Sequence, residues 1–176
     1  VVSLGTAAAR IKNWSRDDVN LVSLDPGSRA VVVVTQNRVG AAPVIVCRDH
    51  LTRGETTRAL LINAGNANAG TGPRGIADAR ACCAEVARML GCGEHEVLPF
   101  STGVIMEALP VERIVAALPH CRAALSPSGW PAVTRAIMTP DTLPKAASHR
   151  GEIGGVPITV TGVAKGAGMI APTMAT

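Results

Sequence analysis

Aromatic residues are almost missing from this chain: Trp14, Phe100 and Trp130 are all it has, 2% of 176 residues, and there is no tyrosine. Aromatic platforms for stacked bases are therefore excluded as a way of holding nucleic acid, and the core must be built from Val, Ile, Leu and Ala. Charge is sparse too, at 17% Asp, Glu, Lys and Arg. The net charge of +4 comes from scattered arginines with no basic run, so no nucleic-acid partner is expected, although a mild positive excess suits substrates carrying carboxylates. The five cysteines (Cys47, Cys82, Cys83, Cys92 and Cys121) are odd in number and form no CxxC pair. The four histidines show no HxxxH spacing, so neither a disulfide framework nor a zinc site is expected. Cys83 falls on the apolar face of a helical stretch, and packing is the expected role of such thiols, reduced in a cytoplasmic protein. No apolar run approaches the roughly 18 residues of a membrane span, and Val1–Gly5 does not read as a leader. No GxxxxGK[ST] phosphate loop occurs.

With 47% apolar residues, the chain has the makings of a packed core. Arg29–Thr35, with four consecutive valines, reads as a buried strand, with Ala42–Cys47 as its partner and Arg58–Asn63 as a third. From Pro73 the apolar residues Ile76, Ala79, Cys83, Val86 and Leu90 fall at helical steps, and Gly91 suits a C-cap. Glu96–Phe100 reads as a strand. A helix opening at Pro110 is expected to stop near Pro119, and another spans Trp130–Ile137. Residues 151–162 read as a hairpin turning at Gly154-Gly155. Strands and helices mix without strict alternation, which predicts a single α/β domain over residues 1–176, layered as a sandwich of sheet and helices.

Four segments carry candidate chemistry. Asn63–Gly72 holds three Asn and three Gly directly after a strand, and reads either as a turn cluster or as a backbone cradle for a ligand. Ser101-Thr102-Gly103 is either a strand-to-helix connection or an oxyanion site, with the Thr102 hydroxyl and the unshielded Gly103 N–H as donors. Thr139-Pro-Asp-Thr142 sets two hydroxyls around a carboxylate and also fits a side-chain-capped turn. Lys165, entering the Gly-rich stretch before Thr176, is either solvated surface or a hold on a substrate carboxylate. Thr176, after Met-Ala and a Gly-rich approach, reads either as an exposed flexible tail or as a self-cleavage junction. A threonine freed at a new N-terminus attacks with its hydroxyl and uses its own α-amine, pKa roughly 8, as base.

These segments occur together and in order in one family. With Thr35–Val44, Asn63–Gly72, Ser101–Ile105, Met138–Thr142, Lys165–Pro172 and Met174–Thr176, the chain resembles the α chain of bacterial ornithine acetyltransferase, also known as glutamate N-acetyltransferase, of arginine biosynthesis. The resemblance covers nearly the whole chain. It implies a layered α/β sandwich completed by a β chain, autocatalytic cleavage between Ala175 and Thr176, and assembly of two α with two β chains. It implies that Thr176 is the acyl-accepting nucleophile, that Thr102 and Gly103 stabilise the oxyanion, and that Thr142, Lys165 and Thr176 bind substrate. Acetyl would pass from N²-acetylornithine to glutamate with no metal or cofactor. Some members also take acetyl-CoA as donor, and these residues leave that open. The family's mature α chain ends at Ala175, whereas Thr176 is present here. A self-processing aminopeptidase or amidase of similar architecture, or a non-catalytic amino-acid-binding subunit, stands as the alternative.

Overall fold

A computed structural model describes residues 1–167. Ala175 and Thr176, the expected junction, lie outside them. Four strands form one sheet in the order β1 (Val2–Ala7), β2 (Val19–Leu24), β3 (Ala59–Asn66) and β4 (Val97–Val104). The first three run antiparallel, and β4 lies parallel to β3. A parallel neighbour requires a long crossover. Helix α2 (Gly72–Leu90) supplies it, and Gly91 closes that helix in the left-handed region at φ 67°, where an L side chain would be strained.

Strand alternation divides the core between two faces. Val19 and Leu21 of β2, with Ala59 and Leu61 of β3, face α2 and α3 (Val111–Ala123) and pack on Cys82, Cys83, Val86, Ile114, Leu118 and Cys121. Leu4, Val22, Leu60 and Ile62 face the other way, against Val133, Ile137 and Trp130 of α4 (Trp130–Ala136) and its end. The sheet is thus covered on both sides, the layered α/β arrangement expected.

Three local expectations fail. Ala42–Cys47 is no strand but the first half of α1 (Ala42–Arg53). Pro43 sits in its first turn, where a missing N–H costs nothing, and the buried residues Ala42, Val46, Cys47 and His50 recur at helical steps. Arg29–Thr35 joins no ladder; Val31 and Val33 are 94% and 62% exposed, while Val32 and Val34 turn inward. The third helix does not stop at Pro119 but runs through it to Ala123. Burial of Leu118 and Cys121 against β1 and β2 outweighs the one backbone bond that proline removes.

Helix α1 closes the outer edge of the sheet. Cys47 Sγ donates to the Pro99 carbonyl (3.2 Å), and His50 Nδ1 lies 2.8 Å from the Val97 carbonyl. Edge carbonyls that would invite another strand are thereby occupied. Arg80 of α2 pins α1 in turn, donating to Asp49 (2.6 Å) and Glu94 (3.1 Å). The second sheet is a hairpin of β5 (Lys145–Ile153) and β6 (Val156–Ala164), turning at Gly154 and Gly155, both with positive φ. Every residue of β5 is exposed. No helix among the described residues is long and apolar enough to cross a membrane.

Candidate active site

The Asn-rich loop is built for holding the chain rather than for open solvent. Asn63, Asn66 and Asn68 are all buried. Asn63 Nδ2 donates to the Asn66 carbonyl (2.8 Å) and receives Ser101 Oγ on its own Oδ1 (2.6 Å). Asn66 Nδ2 donates to the Ala108 carbonyl (3.0 Å), and its Oδ1 accepts the Asn68 amide (2.8 Å). Asn68 Nδ2 reaches the Gly75 carbonyl (2.9 Å). Each amide side chain replaces a partner that a strand or helix would have given. The turn-cluster reading therefore fits this loop, whose service is to fix the end of β3 beside the end of β4.

Thr102 and Gly103 sit at that end of β4. The carbonyls of Val97 and Pro99 face α1, while the Val104 carbonyl accepts the Ala67 amide on the β3 side (2.8 Å). Gly103 lies between these two sets, where the β3–β4 register shifts. Gly103 has φ +136°, and a Cβ there would lie 2.3 Å from the backbone carbon of Gly65. Only glycine fits, because the two strands converge at this point. Along the outer edge lies a pocket of about 370 Å³, walled by Val32, Val34, Val44, Phe100 and Ile105 and bordered by Thr102 and Gly103. Its size and apolar lining, with few polar groups, are those of a small-molecule site. The inward valines of the 29–35 segment, Val32 and Val34, are part of that wall.

Lys165 comes back to the same place from the end of β6. Its Nζ donates to Thr102 Oγ1 at 2.5 Å. Two residues distant by 63 positions and singled out on separate grounds thus meet, with Gly103 next in sequence. Thr142 is exposed on the loop before the hairpin, beside Asp141. No hydrogen bond joins its side chain to Thr102 among the described residues. Thr176 and Ala175 lie outside these residues.

Asp141 is the residue whose importance the spacing did not reveal. Its side chain is 1% exposed. It accepts Lys145 Nζ (2.6 Å) and the Gly166 amide (2.7 Å) on Oδ1, and the Thr139 amide (3.2 Å) on Oδ2. Burial alone would raise its pKa, but the Lys145 hydrogen bond, the two amides and the Lys145 charge outweigh it and hold the carboxyl well below the usual range. Lys165 behaves in the opposite way. Loss of solvent around the ammonium pushes its pKa down, although the residue as a whole remains open, Asp141 opposes the fall and Lys145 adds to it. Two cations share one anion, so the cluster keeps a positive charge beside Thr102. The buried thiols of Cys47, Cys82 and Cys121 are pushed up to about 12 by burial, so none supplies a thiolate near neutrality. Among the described residues, no three His, Cys, Asp or Glu side chains are placed to hold a metal ion.

Comparison with known proteins supplies the wider setting. The family model described as the ArgJ family matches residues 3–176. The arginine biosynthesis bifunctional protein ArgJ of Methylococcus capsulatus is 57% identical over 175 residues, 99% of this chain but 42% of that protein. This chain thus spans less than half the length of that relative. The crystal structure of ArgJ from Bacillus halodurans superposes with a TM-score of 0.84 at 33% identity, covering 99% of this chain and 91% of that one. Ornithine acetyltransferase from Mycobacterium tuberculosis, solved in complex with ornithine, gives 0.85 at 36% identity, covering 99% and 92%. A match over nearly every residue, with the same fold, means that this chain belongs to the ArgJ family.

Proposed function

We propose that this chain is the N-terminal, α part of a precursor that cuts itself between Ala175 and Thr176, and that the assembled cytoplasmic enzyme moves an acetyl group from N²-acetylornithine to glutamate. The observation that carries the reading is the meeting of Lys165 with Thr102, beside Gly103, in an ArgJ-family chain. In this mechanism the Thr176 hydroxyl attacks the acetyl carbonyl, and its α-amine takes the proton. The carbonyl oxygen becomes an oxyanion between the Thr102 hydroxyl and the Gly103 amide. The carbon–nitrogen bond then breaks, ornithine leaves with the proton returned to its amine, and Thr176 carries the acetyl as an ester. The glutamate amine attacks that ester through the same oxyanion and restores the hydroxyl. Lys165 and Thr142 would hold substrate polar groups, Lys165 through its charge on a carboxylate. Two α and two β chains would form the working assembly. Acetyl-CoA, as a second donor, would enter by the same acetyl-enzyme. None of these steps calls on a metal or prosthetic group.

Mass spectrometry of the processed protein after brief incubation with N²-acetylornithine tests the reading. An acetyl adduct on Thr176, discharged by added glutamate, is the expected result. Discharge by water alone, without formation of N-acetylglutamate, would turn the reading toward an amidase.

The oxyanion role of Thr102 has its own kinetic signature. Thr102→Ala removes one of two donors that act most strongly when charge develops. We expect kcat to fall on the order of 10²–10³-fold, with KM for acetylornithine changed far less. Some activity should survive through the Gly103 amide. Unchanged steady-state kcat in a folded Thr102→Ala protein would return Thr102 to a plain connecting role.

A further inference from the structure

We propose that Asp141 is a positioning residue for acetyl transfer: by fastening the chain on both sides of the β5–β6 hairpin, it sets the Lys165 ammonium on the Thr102 oxygen and so leaves the Thr102 hydrogen for the oxyanion. The inference rests on the acetyl-transfer reading above and adds to it a residue and a role for the lysine–threonine contact.

The geometry gives the reasons. A carboxylate as buried as that of Asp141 must have its oxygens satisfied, and the partners it has chosen lie at both feet of the hairpin. Thr139 and Lys145 belong to the way in, and Gly166 to the way out. Gly166 is bonded to Lys165 by one peptide unit, so fixing its amide fixes the root of the lysine. From that root the ammonium reaches Thr102 Oγ1.

Hydrogen counting supplies the chemistry. A threonine hydroxyl has one hydrogen and two lone pairs, whereas an ammonium has three hydrogens and no lone pair. Against Lys165, Thr102 can only accept. Its own hydrogen cannot be spent on that contact and stays available to another acceptor, which is the condition for an oxyanion donor. A positive charge on the oxygen also polarises the O–H bond and strengthens what it donates. The charged groups acting on Lys165 are Asp141 and Lys145, both from the loop and foot before the hairpin, and the Thr102 hydroxyl of β4 is neutral. Asp141 raises the lysine's hold on its proton and Lys145 lowers it. Asp141 therefore fastens the chain at Lys165 and favours the charged form of its ammonium.

Steady-state kinetics against pH on the full-length, processed protein separate this role from simple structure. Wild type, Asp141→Asn, Asp141→Glu and Lys145→Gln are compared. In Asp141→Asn one acceptor oxygen remains for the Gly166 amide, but the charge is gone. We expect kcat to fall on the order of 10- to 100-fold, the scale of a misplaced catalytic group, with the smaller change in KM. The alkaline limb of activity, where Lys165 loses its proton, should move to lower pH. Asp141→Glu should restore part of kcat. Lys145→Gln removes the opposing charge from an accessible site, so its limb should move to higher pH, which keeps the test open if Asp141→Asn fails to fold. The proposal is overturned if Asp141→Asn melts lower yet keeps wild-type kcat and limb, or if the limb stays put in both Asp141→Asn and Lys145→Gln. A wild-type protein that forms no N-acetylglutamate at all would instead overturn the acetyl-transfer reading, and the variants would not be needed to see it.

Discussion

Thr176→Ala, introduced into the full-length precursor, is expected to give a single uncut polypeptide with no acetyl transfer. One hydroxyl is assigned two successive tasks, the opening of the Ala175–Thr176 bond and the acceptance of acetyl. Alanine removes the hydroxyl and with it both tasks. Loss of a nucleophile of this kind costs on the order of 10⁴-fold or more in kcat. Thr176→Ser should keep part of both activities, because serine retains the hydroxyl and, once cut, the free amine. Gel analysis of the purified precursor gives the processing result, and formation of N-acetylglutamate gives the transfer result. Two fragments of normal size from Thr176→Ala would remove Thr176 from the cleavage chemistry. Cleavage lost with transfer retained would separate the two tasks that the mechanism joins.

A second large effect is expected at Gly103, and through the fold rather than the chemistry. Gly103→Ala would hold an alanine at φ +136°, a region that only glycine enters freely, at a cost of about 1–3 kcal/mol. The new methyl would also stand 2.3 Å from a Gly65 backbone carbon and 2.6 Å from the Asn66 nitrogen. Both are main chain within the sheet, so neither can step aside as a long side chain could. The ends of β3 and β4 must part, and with them the bonds of Asn63 and Asn66. Thermal unfolding of Gly103→Ala should show a loss of about 2–12 °C from the backbone strain alone, at some 2–4 °C per kcal/mol for a chain of this size, with the steric clash adding to it. An unchanged melting temperature would mean that the strands can separate without cost. The contrast with Thr102→Ala is informative: neighbouring residues are expected to fail in different ways, one in stability and the other in kcat.

The legible parts of this molecule are those decided by local physics. Helix α2 shows its apolar steps and its terminal glycine, and the turn at Gly154-Gly155 declares itself because two adjacent glycines supply the positive φ angles that a tight hairpin needs. Thr102, Gly103 and Lys165 were legible as candidates, and the fold brings Thr102 and Lys165 into contact. What failed depended on remote partners. Whether Val31–Val34 becomes a strand is decided by an available edge, and α1 already occupies that of β4. Pro119 stops a helix only where packing does not hold it, and Leu118 and Cys121 hold it. Strands β1 and β2 carry no clear pattern in the sequence. In β1, Gly5 interrupts the pattern because α3 lies so near that a Cβ would fall 2.0 Å from the Cys121 carbonyl oxygen. Asp141 carried only the signature of a turn, since its decisive partner, Gly166, lies 25 residues on.

The pairing of Lys145 with Ala164 means that the chain leaves the body of the molecule and returns to the same spot. Residues 146–163 are a round trip, and Asp141 is the clasp at its start and finish. The length of such an excursion is free in a way that few segments beside a pocket are. Two residues added symmetrically at its tip would lengthen both arms and leave Lys165 where it stands. Insertion at the Gly154-Gly155 tip is therefore expected to leave the contact of Lys165 with Thr102 in place.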